Sequence, residues 1–207
     1  MYGMRYSMTT DQKRVFRKMN FSELEYWYNI EFSEAFVENE RKPFQDIITL
    51  IKENKYEVWG IFEGNHLLGY ASLWKSSHVP LILLDYLGVS AKLRNGGIGA
   101  QILKHLKDLN TPIVTESELP VEGDSENENN IRVRRINFYK RNGFIPAYEM
   151  ATCGMRWQAL LINANKIPVE SIMKWHKALY GAGRTDVEIP LEKGKTPGMP
   201  YWMEMGK

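Results

Sequence analysis

The stretch Leu84–Leu103, LDYLGVSAKLRNGGIGAQIL, constrains this chain more than any other. It reads as a buried strand, a short turn, a glycine-rich loop and the start of a helix. The strand spans Leu81 to Val89, a nearly continuous apolar run carrying one acid, Asp85. The loop is Arg94-Asn95-Gly96-Gly97-Ile98-Gly99. The helix runs from Ile98 to about Leu109, with Ile98, Ile102, Leu103, Leu106 and Leu109 at helical spacing. Glycines at a helix start let backbone come close to a ligand. The first free N–H groups of the helix then point outward, and its dipole favours negative charge there. The physical reading is an anion site for a phosphate or pyrophosphate, although glycines also serve as plain loop punctuation. A P-loop needs Gly-Lys-Ser/Thr, and Gly99 is followed by Ala100-Gln101. A Rossmann fingerprint needs a third Gly or Ala where Ile102 stands. Glu116, however, is placed for that motif's acid, so a dinucleotide stays open from this stretch alone.

The 207 residues suffice for one domain with a real core. A net charge of +2 makes no case for nucleic-acid binding. No apolar run approaches the about 18 residues of a membrane span, and the N-terminus lacks a signal peptide's apolar region. The single cysteine, Cys153, cannot form an internal disulfide, so a reducing cytoplasm is the natural setting. No His or Asp supports it as a nucleophile, and a packed thiol is expected.

In chain order, residues 1–12 read as irregular and Arg14–Met19 as a short strand. Asn20 or Ser22 can cap a helix from Ser22 to Val37, with Glu25 completing a capping box from Ser22. Leu24, Tyr28, Phe32 and Phe36 mark its buried face, leaving Glu31, Glu34 and Glu38 off that stripe. Pro43 suits the first position of a helix over Phe44–Lys52. Tyr56–Phe62 and Leu67–Trp74 then read as a hairpin around Glu63-Gly64-Asn65-His66. Past the glycine loop, Ile113–Thr115 begins a strand ending near Glu116 and Glu118. Residues 122–130, with four acids and three asparagines, read as a mobile loop or a solvated helix start. Ile131–Arg141 is a basic helix ended by Asn142-Gly143. Phe144–Met150 and Met155–Ile162 are two last strands, Val169–Tyr180 an amphipathic helix, and 181–207 an irregular tail. The pattern is mixed α/β: a mostly antiparallel central sheet flanked by helices, built around one strand–loop–helix–strand unit. A doubly wound sheet would alternate strands and helices throughout.

Two motifs combine in this order: Arg94-x-x-Gly97-x-Gly99 after a strand, and Phe138-Tyr139-x-x-x-Gly143-Phe144 ending a helix. Together they resemble the GNAT superfamily of acyl-CoA-dependent N-acyltransferases over about residues 15–162. The resemblance implies a GNAT domain over residues 13–165. The helix and tail of 166–207 are then part of that domain, a homodimer contact or a cover over the acceptor cleft. It implies that backbone N–H groups from Asn95, Gly96, Gly97, Ile98, Gly99 and Ala100, with Arg94, cradle the pyrophosphate of coenzyme A. Gly97 and Gly99 are then glycines because a Cβ would hold the phosphate away. Leu87, Gly88 and Val89 would offer backbone partners to pantetheine. Tyr139 would donate a proton to the departing thiolate, packing or pantetheine binding being its competing role. Glu116, then Asp85, would take the acceptor's proton, each with a structural alternative. Relatives carry an Asn about two turns before the tyrosine; here Arg132 stands seven before Tyr139. Arg132 or Arg135 either reaches the coenzyme's phosphates or pairs with the acids of 122–128. The implied activity is direct acetyl transfer from acetyl-CoA to a primary amine of a small molecule or peptide, without an acyl-enzyme and without a metal. Glu31, Glu34 and Glu116 would favour a cationic amine. A non-catalytic coenzyme A-binding or regulatory module on the same fold is the competing class, and a dinucleotide-dependent oxidoreductase a third.

Overall fold

The computed structural model describes residues 13–38 and 41–199, so the readings for 1–12 and for the end of the tail lie outside the described residues. Seven strands form one sheet in the order β1-β2-β3-β4-β5-β7-β6. They are β1 (Val15–Lys18), β2 (Tyr56–Glu63), β3 (His66–Ser76), β4 (Val79–Val89), β5 (Ile113–Glu118), β6 (Ile145–Thr152) and β7 (Met155–Ile162). Every pairing is antiparallel except β4 with β5. That parallel pair needs a crossover, supplied by α4 (Ile98–Lys107).

One face of the sheet is covered by α4 and α5 (Glu126–Arg141). Ile98, Ile102, Leu106 and Tyr139 pack there against Leu84 and Leu160. The other face carries two aromatic and aliphatic clusters. One lies under α1 (Phe21–Tyr26), its π-helical continuation Trp27–Phe32, the turn α2 (Ser33–Ala35) and α3 (Phe44–Lys52). The second lies under α6 (Val169–Tyr180), and Trp74 packs against both. Among the described residues no helix is long and apolar enough to cross a membrane.

Several boundaries differ from the sequence reading. Asn20, not Ser22, caps α1, and its box partner is Glu23. The π-helical stretch turns Trp27 fully into the core, a position the four-residue stripe omitted. Pro43 is the N-cap of α3, and its carbonyl accepts from Asp46 and Ile47. The polar run before Ile131 is helical from Glu126, because Ser125 and Glu128 close a capping box. The tail contains ordered structure: Val187, Ile189 and Leu191 are buried, and Glu188 bridges Ala151. Cys153 is not a packed core thiol. It occupies a left-handed turn position between β6 and β7 (φ 55°), where its N–H donates to the buried Asp186 at 2.7 Å.

Candidate active site

The parallel pairing of β4 and β5 is short. It runs Ile82↔Ile113, Leu83↔Val114, Leu84↔Thr115 and stops. Beyond it β5 stays paired with β7, through Glu116↔Ala159 to Glu118↔Trp157. β4 stays paired with β3, through Ala71↔Leu87, Tyr70↔Gly88 and Gly69↔Val89. The two central strands therefore part, and the edge of β4 along Leu87, Gly88 and Val89 has β3 on one side only. Unpaired strand edges accept an extended chain, here in the interior of a sheet.

A bulge sits at the point of parting. Ser72 pairs with Tyr86 and Leu73 with Leu84, so Asp85 has no partner on β3. The extra residue turns Asp85 and Tyr86 to the same face, the one covered by α1–α3 and α6. The bulge is held by Ser72, whose Oγ accepts from the Tyr86 N–H at 3.0 Å and lies 2.9 Å from the Tyr56 hydroxyl.

At the loop, Gly97 caps α4 in a left-handed conformation (φ 77°) with no side-chain cap. Among the described α-helices, α4 is the one with neither a capping side chain nor an acid in its first turn. Its first N–H groups therefore have no capping side chain, the arrangement that can take an anion. Two of the glycines also have reasons within the protein itself. Gly97 is required by its φ, and a Cβ there would meet nothing within 4 Å. At Gly99 a Cβ would lie 3.1 Å from the Phe138 ring of α5. Gly99 thus lets the two helices approach each other.

Tyr139 lies on the α4–α5 face. It is buried and packed by Phe138 and Phe144. Burial pushes its phenol above the usual range, opposed by a hydrogen bond with Thr115 and the charge of Arg135. Thr115 is the last residue of β5 paired with β4, so the phenol sits beneath the parting of the strands. Asp85 and Glu116 lie on the opposite face. Lys42, from the loop before α3, binds both Asp85 oxygens at 3.0 and 2.7 Å, and the Tyr56 hydroxyl donates to the same carboxylate. Both Glu116 oxygens accept from the Tyr180 hydroxyl, at 2.7 and 2.8 Å. His176 Nε2 lies 2.9 Å from Glu116 Oε1, off the hydrogen-bonding direction, while its Nδ1 is 3.0 Å from the Tyr148 hydroxyl. Burial, then the charge of Glu116, raises the phenols of Tyr148 and Tyr180, so both stay donors.

The remaining expected residues fall in other places. Arg132 pairs with Asp124 at 2.7 Å and Glu118 at 3.3 Å, the acid-pairing alternative. Glu31 accepts from Ser90 and Glu34 is exposed. The acid next to the split beside Glu116 is Asp85. Sequence reasoning missed Lys42, His176 and Tyr180. The i, i+4 spacing of His176 and Tyr180 puts them on one helix face, but no sequence signal points that face at Glu116. Among the described residues no cluster of three or more His, Cys, Asp or Glu is placed to hold a metal ion.

A family model described as an acetyltransferase (GNAT) domain matches residues 54–146. YjbC of Bacillus subtilis (strain 168), a protein classed with the acetyltransferases, is 31% identical over 163 residues, covering 78% of this chain and 73% of YjbC. Among solved structures, a GNAT-family protein of Bacteroides thetaiotaomicron superposes with a TM-score of 0.61 at 24% identity, covering 81% of this chain and 98% of its own. An aminoglycoside 6′-N-acetyltransferase solved with coenzyme A gives 0.57 at 10% identity, covering 71% and 95%.

Proposed function

The chain belongs to the GNAT family of acetyltransferases, and on that premise we propose that it transfers the acetyl group of acetyl-CoA to a primary amine by direct attack. The observation that carries the reading is the parting of β4 and β5 after Leu84↔Thr115, with a proton donor on one face and two carboxylates on the other. Backbone N–H groups at the start of α4 hold the pyrophosphate, with Arg94 beside them. The exposed edge of Leu87, Gly88 and Val89 hydrogen-bonds the pantetheine arm. Bound acetyl-CoA supplies an activated thioester carbonyl.

Tyr139 holds its proton beneath the split and gives it to the leaving sulfur. An acceptor ammonium has no lone pair, so a carboxylate must first take a proton from it. Glu116 suits that role better than Asp85. Asp85 is neutralised by direct contact with Lys42, whereas Glu116 is held mainly by the Tyr180 hydroxyl. Among the described residues at the split, Ser117 Oγ has no hydrogen-bond partner and Ser72 is held by Tyr56 and the Tyr86 N–H, so neither is supported as a nucleophile, which agrees with transfer without an acyl-enzyme. The acid-and-aromatic lining suits a cationic amine, the class to which an aminoglycoside belongs. The lone, unbridged Cys153 accords with a cytoplasmic setting.

Thiol release from acetyl-CoA across a panel of amines, run beside thermal shift with coenzyme A, tests the reading. Turnover with stabilisation is expected; stabilisation without turnover on any amine would make the chain a binding module. Glu116→Gln is expected to lower kcat by about 10²-fold and to change the pH–rate profile. Asp85→Asn is expected to act mainly on KM for the amine. An unchanged profile in both variants would overturn the base assignment.

A further inference from the structure

Lys42 is half-buried in an unusual way for a loop lysine. Its ammonium contacts both oxygens of Asp85. It also lies 4.8 Å from the ring centre of Trp74, 5.3 Å from that of Tyr86 and 6.0 Å from that of Tyr56. Three aromatic rings and one carboxylate around an ammonium are the recognition chemistry of an alkylammonium ion. The cage is built on the bulge itself. Asp85 and Tyr86 are the two consecutive residues that the bulge turns to one face, immediately past the last β4–β5 pair. It is continuous with the second acid, because Trp74 packs edge-on against Tyr180 at 5.7 Å and Tyr180 bonds Glu116.

We propose that Asp85, Trp74, Tyr86 and Tyr56 form the ammonium subsite for the acceptor, and that Lys42 is its resident occupant, displaced by a cationic amine. The proposal rests on the reading of the split as the transfer site. The cage is made of sheet residues, whereas its cation comes from the loop between α2 and α3. The backbone under Lys42 is tethered separately. The Tyr28 hydroxyl donates to the Lys42 carbonyl at 3.1 Å, and Pro43 caps α3. The ammonium can therefore leave by rotation of a flexible four-carbon side chain, with the loop staying in place. The side chain retains 24% exposure, so the cage has an open side. An ammonium of equal charge and size replaces it without stranding the Asp85 charge, whereas a neutral molecule cannot. Lys42 would thus discriminate against uncharged acceptors, and the apparent affinity for charged ones would carry the cost of displacing it.

The test needs no acetyl-CoA. Peptide mass spectrometry follows the modification of Lys42 by an amine-reactive reagent, normalised to the exposed Lys166 of the same chain. Adding 1,4-diaminobutane should speed the relative modification of Lys42 several-fold, while 1,4-butanediol should leave it unchanged. A diamine that leaves Lys42 protected, or slows its modification, would overturn the proposal. Independently, Lys42→Met should bind 1,4-diaminobutane about tenfold more tightly than the wild type by calorimetry, since the internal competitor is gone. Equal or weaker binding by a folded variant would also overturn it. Stabilisation of the wild type by coenzyme A is measured alongside. If it holds while Lys42 stays in place, only the subsite falls; if it fails, the transfer reading falls.

Discussion

At the scale of single residues, the proposed proton donor and proton acceptor lie on opposite faces of the sheet. Tyr139 reaches the split from the α5 face, and its phenol is kept protonated because burial penalises the phenolate. A group that must give up a proton to a leaving thiolate is best held neutral until that moment. Tyr139→Phe keeps the ring in its contacts with Phe138 and Phe144 and removes only the hydroxyl. We expect kcat to fall about 10²-fold with KM for acetyl-CoA little changed, as steady-state kinetics would show. A raised KM with kcat intact would make Tyr139 a binding residue. The place of Tyr139 on a helix ended by Gly143 was legible in the sequence because both belong to a local motif, Tyr-x-x-x-Gly-Phe, whose glycine takes a left-handed conformation. His176 and Tyr180 belong to no such motif. They meet Glu116 only because α6 packs across β4 and its side chains reach over to β5, a contact between residues some 60 positions apart.

At the scale of elements, boundaries were readable where apolar periodicity is bracketed by turn residues. The limits of α3, β7 and α6 coincide with the expected ones, each flanked by Pro, Gly or Asn. They failed where the deciding contact is tertiary. The run Leu81–Val89 has no alternation to break, so a one-residue bulge at Asp85 leaves no trace in it. The cause is a side chain on another strand, Ser72, accepting from the Tyr86 N–H. The start of α5 stayed open between a loop and a solvated helix start for a different reason: Ser125-x-x-Glu128 is a capping box in plain view, but the polar residues behind it carry no period. The glycines at the start of α4 separate two roles that a motif reading merges. Gly97→Ala should cost about 1 kcal/mol through its left-handed φ, seen as reduced stability in denaturant. Gly99→Ala should push against Phe138, whose helix carries Tyr139, so its larger effect should be on kcat. Equal effects of the two alanines on both measurements would argue against this division.

At the scale of the whole molecule, buried phenols join the two faces of the sheet into one cooperative unit. Tyr56 and Tyr70 lie under α1–α3, Tyr139 projects from α5, Tyr148 lies beside α6 and Tyr180 ends α6. Burial raises all five, and the carboxylates of Asp85, Glu31 and Glu116 raise four of them further. A phenol held protonated in the fold loses its proton near pH 10 in the unfolded chain. Its contribution is therefore fully present below about pH 10 and is lost as pH rises through the folded value. Each such group costs up to about 1.4 kcal/mol per pH unit over that interval, and five together up to about 7 kcal/mol per unit. A domain stabilised by about 5–15 kcal/mol cannot sustain that slope for more than about two units. The fold should thus give way between about pH 10 and 12, before these phenols titrate within it. Phenolate absorbance and far-UV circular dichroism followed together across that range should change in one step. A smooth rise in phenolate with the dichroism intact would show the five hydroxyls to be reachable by water. That outcome would remove the dry surroundings on which the roles of Tyr139 and Tyr180 depend.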